Sequence, residues 1–72
     1  MKFTIVVTED EDEPVFNATV PALPGCHTWG ESEDEAYRNA EEAIQAYLEA
    51  LAKENTPVPR EVSKREVEVA AP

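Results

Sequence analysis

Apolar positions along this chain alternate through residue 29, turn to helical spacing over residues 36–51 and alternate again near the end. Residues 3–8, Phe-Thr-Ile-Val-Val-Thr, are β-branched or aromatic throughout and set Phe3, Ile5 and Val7 on one face of a first strand. Five consecutive acids, Glu9 to Glu13, then Pro14, end it: like charges repel when packed and proline cannot donate to a ladder. Residues 15–20 alternate again, with Phe16, Ala18 and Val20 facing one way and Asn17 and Thr19 the other, so the two runs form an antiparallel hairpin across a long acidic loop. Pro24-Gly25 then predicts a type II turn over Leu23–Cys26, with proline presetting the first central dihedral and glycine taking the positive φ of the second. His27, Thr28 and Trp29 make a short third strand that Gly30 closes.

From there the period becomes helical. Ser32 followed by Glu35 is a capping box, and Glu33, Asp34 and Glu35 place negative charge in the first turn, where the helix dipole favours it. Ala36, Ala40, Ala43, Ile44, Tyr47, Leu48 and Leu51 form a single apolar stripe, its early alanines small enough to bring the backbone close to a sheet. Residues 55–59, Asn-Thr-Pro-Val-Pro, stop the helix, because the residue before each proline is pushed out of the α region. Val62, and then Val67 and Val69 alternating with Glu66 and Glu68, predict a short last strand. The order β-β-β-α-β defines an α+β fold. Three antiparallel strands come first, and the helix crosses one face to bring a fourth strand parallel to the first.

Length confines this to one domain over residues 1–72, and so small a core leans on staples or self-association. Cys26 is the single cysteine, so no internal disulfide forms, and a lone thiol without a signal h-region indicates a reducing cytoplasm. No apolar run is long enough for a bilayer. Sixteen acids against six bases leave a net charge of −10, which opposes phosphate backbones and anionic lipids alike, so direct nucleic-acid and membrane partners are not expected. The first thirty residues hold five acids and one base, residues 31–54 eight and two, and residues 55–72 three of each, so the acidity belongs to the hairpin loop and the helix.

Catalytic constellations are thin. Cys26 and His27 are strand neighbours and point to opposite faces, which suits a buried thiol beside a surface imidazole better than a nucleophile or metal pair. The run Glu9–Glu13 lacks the glycine bend and terminal glutamate of a calcium loop. The helical acids Glu33, Asp34, Glu35, Glu41, Glu42 and Glu49 lie off the apolar stripe, as a solvated face does, and do not converge as nuclease carboxylates would. No cofactor and no metal is implied. Trp29 serves first as core filler and second as an exposed anchor. The sheet face opposite the helix would present Thr4, Val6, Thr8, Val15, Asn17 and Thr19, mild enough to seat a second subunit in a homodimer or homotetramer.

Ala18-Thr19-Val20-Pro21-Ala22-Leu23-Pro24-Gly25-Cys26-His27-Thr28-Trp29-Gly30, followed by Glu35-Ala36, Asn39-Ala40, Glu42-Ala43-Ile44 and Tyr47-Leu48, strongly resembles the HicB-like antitoxin family. The usual core of that family runs V-P-D-L-P-G-C-x-T-x-G, then E-A, N-A, E-A-I and Y-L, and the likeness spans roughly residues 1–60. It implies a degraded ribonuclease-H-like fold and a non-catalytic role, in which the protein covers the active site of HicA, a small basic toxin that cleaves messenger RNA. Two departures bear on this. Ala22 stands where the family commonly has Asp, and the chain stops at Pro72, where many relatives continue into a DNA-binding module, so operon self-repression is not carried over. Charge and exposure nominate Asp10, Glu11 and Asp12 on the loop, Trp29 at the strand-to-helix corner, and Glu33 and Asp34 at the helix start as the residues that meet the toxin. The alternatives are a self-associating scaffold or small-ligand module without a toxin, and a residual metal-dependent nuclease.

Overall fold

The computed structural model describes residues 1–72 and contains three strands and one helix: β1 (Val6–Glu9), β2 (Phe16–Thr19), β3 (His27–Gly30) and α1 (Glu33–Lys53). The strands form one antiparallel sheet in the order β1-β2-β3, with Val6 opposite Thr19, Glu9 opposite Phe16, Thr19 opposite His27 and Phe16 opposite Gly30.

β1 begins later than its apolar pattern predicts. Residues 3–5 lie beyond the last ladder pair, where β2 has already given way to the turn and Pro21 has no N–H to offer. The Thr4 N–H instead donates to the carboxylate of Glu61 at 2.9 Å. Phe3 and Ile5 still point at the helix, because alternation of side chains does not require a ladder.

Ser32 caps α1 in an extended conformation, its hydroxyl accepting from the Glu35 N–H at 3.1 Å. The capping box closes one residue early, since the Glu35 carboxylate accepts from the N–H of Glu31 rather than of Ser32. At the other end Asn55 takes φ 56°, the Thr56 N–H donates to the carbonyl of Leu51 and the Asn55 N–H to that of Ala52. This is a Schellman stop with asparagine in the left-handed position glycine usually holds.

α1 covers one sheet face through two linked clusters. Ala18, Ala36 and Ala40 are buried together against Ile5, Val7 and Phe16. Val20, Leu23 and Cys26 are buried against Phe3, Ile5, Ala43, Ile44 and Tyr47. Ile5 belongs to both. Alanine on both sides of the first contact brings helix and sheet very close, and Gly30 is where they touch: a Cβ there would stand 2.5 Å from the backbone nitrogen of Ala36.

The predicted fourth strand does not form. Residues 57–72 carry no regular structure, and Val62, Val67 and Val69 are almost wholly exposed. No strand lies parallel to β1, so the strand that would give a ribonuclease-H-like order is missing from the sheet. Two alternating valines bury too little apolar surface to offset the ordering of the segment, and Lys64-Arg65-Glu66 interrupts the apolar pattern before them.

Candidate partner-binding end

The strand register decides where the charges meet. Glu9, Phe16 and Gly30 are partners across the three strands, so the β1–β2 loop and the β3-to-α1 corner emerge from the same end of the sheet. That end gathers Glu11, Asp12 and Glu13 from the loop and Glu31, Glu33 and Asp34 from the corner, all exposed. Neither segment holds a base. The opposite end carries the Pro21–Cys26 turn, with the segment 60–66 lying beside Thr4, Val6, Pro21 and Ala22.

Asp10 is the exception among the loop acids. One carboxylate oxygen accepts from the backbone N–H of Asp12 at 2.9 Å and of Glu13 at 3.1 Å, and the other accepts from the Asn17 side-chain amide at 3.2 Å. The Asp12 N–H above all, then the Asn17 amide and the Glu13 N–H, hold its carboxyl below the ordinary 3.8. Asp10 therefore shapes the loop that presents Glu11 and Asp12, and the sequence reading of it as a contact residue missed this. An aspartate two and three residues before the amides it binds is the signal that could have shown it. Because the folded value is depressed, the loop stabilisation is complete above the ordinary carboxylate value and disappears as pH falls through the lowered one. Asp10→Ala should weaken the pH dependence of stability below the ordinary carboxylate value and speed amide exchange at Asp12 and Glu13; a pH dependence and exchange rates like those of the parent would remove this role.

Trp29 is not core filler. Its side chain is 54% exposed, on the face away from α1 and directly across from Asn17. Alternation along β3 sets it on the face of His27, while Gly30 and the alanines of the helix–sheet contact occupy the other. Below the ring, the Trp29 carbonyl accepts from the Asn39 side-chain amide at 2.8 Å, which ties the corner to the helix. Of the other outer-face positions, Val6 and Thr19 are exposed while Thr4, Val15 and Asn17 are half-buried. Trp29 thus sits at the border between an open sheet face and the acidic end.

Cys26 is buried and His27 exposed, as alternation requires. Burial pushes the Cys26 thiol above its ordinary value, the opposite of what a nucleophilic thiolate needs. The Pro21–Cys26 segment is a clip for the core. The Cys26 N–H donates to the Leu23 carbonyl at 2.9 Å across the Pro24-Gly25 turn, Gly25 takes φ 79°, and the Tyr47 hydroxyl donates to the Pro24 carbonyl at 2.9 Å. No helix is long and apolar enough to cross a membrane.

The family model for the HicB-like antitoxin of bacterial toxin–antitoxin systems matches residues 3–72. The chain belongs to the HicB-like antitoxin family. Its relatives include a UPF0150 protein of Thermoplasma acidophilum, 49% identical over 61 residues that span 85% of this chain and 87% of the relative. Another UPF0150 protein, from Archaeoglobus fulgidus, is 51% identical over 49 residues, 68% of this chain and 70% of the relative. Among solved structures, the N-terminal domain of the Burkholderia pseudomallei antitoxin HicB superposes with a TM-score of 0.75 at 39% identity, covering 89% of this chain and 74% of that domain. This HicB-like antitoxin therefore has the α+β architecture of that domain, and its role is that of an antitoxin in a toxin–antitoxin system. The motif by which the family is identified, from Val20 to Gly30, lies in the clip, in β3 and at the Gly30 contact. It is a signature of folding more than of recognition.

Proposed function

We propose that this antitoxin acts in the cytoplasm by binding, without catalysis, a small basic HicA-like toxin that cleaves messenger RNA, and that its acidic end covers the toxin's RNA-binding surface. The observation that carries this reading is the register that brings the β1–β2 loop and the helix start to one end of the sheet. Six exposed carboxylates there, with no base in either segment, reproduce the charge of the RNA they would displace. Charge of that density speeds encounter and sets orientation, whereas a desolvated aromatic supplies binding energy, and Trp29 at the border of the acidic end is such an anchor. Glu11, Asp12, Glu33 and Asp34 then steer, Asp10 holds the loop, and Trp29 holds the toxin.

A tagged full chain, pulled down from its native lysate and eluted with a salt gradient, should recover a small basic protein whose RNA cleavage the chain blocks. With that protein in hand, Glu11→Lys with Asp12→Lys should slow association by about tenfold or more at low salt and flatten its salt dependence. Trp29→Ala should leave the association rate nearly unchanged and speed dissociation by about thirtyfold, as loss of a central aromatic does. Association unchanged across salt concentrations would remove the acidic end from the interface, and a lysate yielding no such ribonuclease would overturn the reading.

A further inference from the structure

Asn17 is a polar side chain in the middle of the sheet. It stands in β2, the central strand, half-buried and on the face away from the buried Ala18 contact with α1. Asparagine is among the residues least favoured in a strand, so its place there asks for a reason. The register sets Thr8 directly opposite it on one side and Trp29 directly opposite it on the other. Residues paired in this way share a face, with Cβ atoms about 4.5–5.5 Å apart, so the Asn17 amide and the Trp29 indole are neighbours on the open face.

The same amide reaches the acidic loop. The Asp10 N–H donates to the Val15 carbonyl at 3.0 Å, which leaves Glu11–Pro14 as the residues that project beyond the strands. Within that projection the two carboxylate oxygens of Asp10 divide the work. Oδ1 accepts from the backbone N–H groups of Asp12 and Glu13, and Oδ2 accepts from the Asn17 amide at 3.2 Å. This last is the one side-chain hydrogen bond from the loop to the strands. It requires a neutral donor at position 17. A hydroxyl or an aliphatic chain there supplies no amide, and a second carboxylate would repel Asp10.

We infer that Asn17 is a positioning residue: it latches the acidic loop through Asp10 and seats the Trp29 indole beside that latch, so that the steering acids and the aromatic anchor are presented together. The consequence for a partner rests on the reading of the acidic end given above, whereas the latch itself is a property of the free chain. Holding the loop and the indole in place before contact spares the complex the cost of ordering them, which is felt mainly in how slowly it dissociates.

A reversal of the hydrogen-bond polarity tests this in the full chain, with Asn17→Asp, Asp10→Asn and the two combined. Asn17→Asp alone faces one carboxylate with another and should speed amide exchange at Asp12 and Glu13 by about tenfold or more and shift the indole N–H resonance of Trp29. In the double variant the side-chain carbonyl at position 10 still accepts from both backbone amides, and its amide now donates to the carboxylate at position 17. Exchange should then return to within about twofold of the parent and the indole resonance to its parental position. The double variant carries the parent's net charge, so a charge effect alone would not distinguish it from Asp10→Asn followed by any added acid. Circular dichroism of the helix checks the fold. If Asn17→Asp does not fold, Asn17→Thr, which suits a strand and removes only the amide, should give the same faster exchange. With the basic partner in hand, Asn17→Asp should speed dissociation by about fivefold or more and the double variant should not. Parental exchange in both Asn17→Asp and Asn17→Thr, or a double variant no better than Asn17→Asp, would overturn the latch. Dissociation unchanged by Asn17→Asp would overturn its part in binding. The exchange and indole measurements need no partner, so they decide the latch even where the toxin reading fails.

Discussion

Gly30→Ala should cost about 3 kcal/mol or more, the upper end of what overpacking does. The added methyl would stand 2.5 Å from the nitrogen of Ala36, 2.9 Å from the carbonyl carbon of Glu35 and 3.0 Å from the Ala36 Cα. All three are backbone atoms in the first turn of α1, so no rotamer change relieves the contact. The helix must lift from β3, and the Ala18–Ala36–Ala40 contact opens with it. For a chain of 72 residues, whose whole stability is about 4–11 kcal/mol, a loss of this size lowers the melting temperature by about 12–24 °C. Ala36→Gly in the same chain should rescue none of it, because the clash is with main chain rather than with the Ala36 methyl. A melting temperature within about 2 °C of the parent would mean that helix and strand are not this close.

Leu23→Ala should cost about 2–5 kcal/mol, the range for emptying a well-packed leucine site. Leu23 is the one large side chain that is completely buried, and it joins Val20 and Cys26 to the helix stripe at Ala43, Ile44 and Tyr47. The backbone around it is held by the type II turn and by the Leu23 N–H bond to the Val20 carbonyl at 3.0 Å, so the site cannot readily collapse. Denaturant unfolding measures the loss, and a change below about 1 kcal/mol would show that the clip is dispensable. The expected functional consequence is separable from the structural one. Leu23 lies at the sheet end remote from Glu11, Asp12, Glu33 and Asp34, so the folded fraction of the variant should bind the toxin with the parent's association rate.

These two positions show how the family motif works. Leu23, Pro24, Gly25, Cys26 and Gly30 close a turn, fill a core and admit a helix, while the exposed acids of the loop and the helix start lie outside the motif. Ala22, where the family commonly has Asp, is half-buried beside residues 60–66.

Much of this was legible in one dimension. The strand faces Phe3-Ile5-Val7 and Phe16-Ala18-Val20 were readable from alternation, because side chains on an extended chain must alternate whether or not a ladder forms. The Pro24-Gly25 turn, the Ser32 cap and the helix stripe were readable because each depends on a few adjacent residues with fixed dihedral preferences. The Val67–Val69 strand was misread for the complementary reason: alternation states a capacity to pair, and two valines bury too little apolar surface to offset the ordering of the segment.

Trp29 marks the same boundary. Its type alone favoured the core, yet it shares the outer strand face with His27, opposite buried Cys26 and Gly30, and alanines fill the helix–sheet contact on the other side. The charges follow suit. That the chain is strongly acidic is a property of composition, but that its loop acids and helix-start acids share one end, and that Asp10 among them is spent on its own loop, follows from strand register and hydrogen-bond geometry. The sequence by itself determined the local elements, the buried faces and the family, because those depend on short-range dihedral and periodic constraints. Only the tertiary structure decided which surfaces face outward together and which strand goes unpaired, because register and layer spacing are settled between residues far apart in the chain.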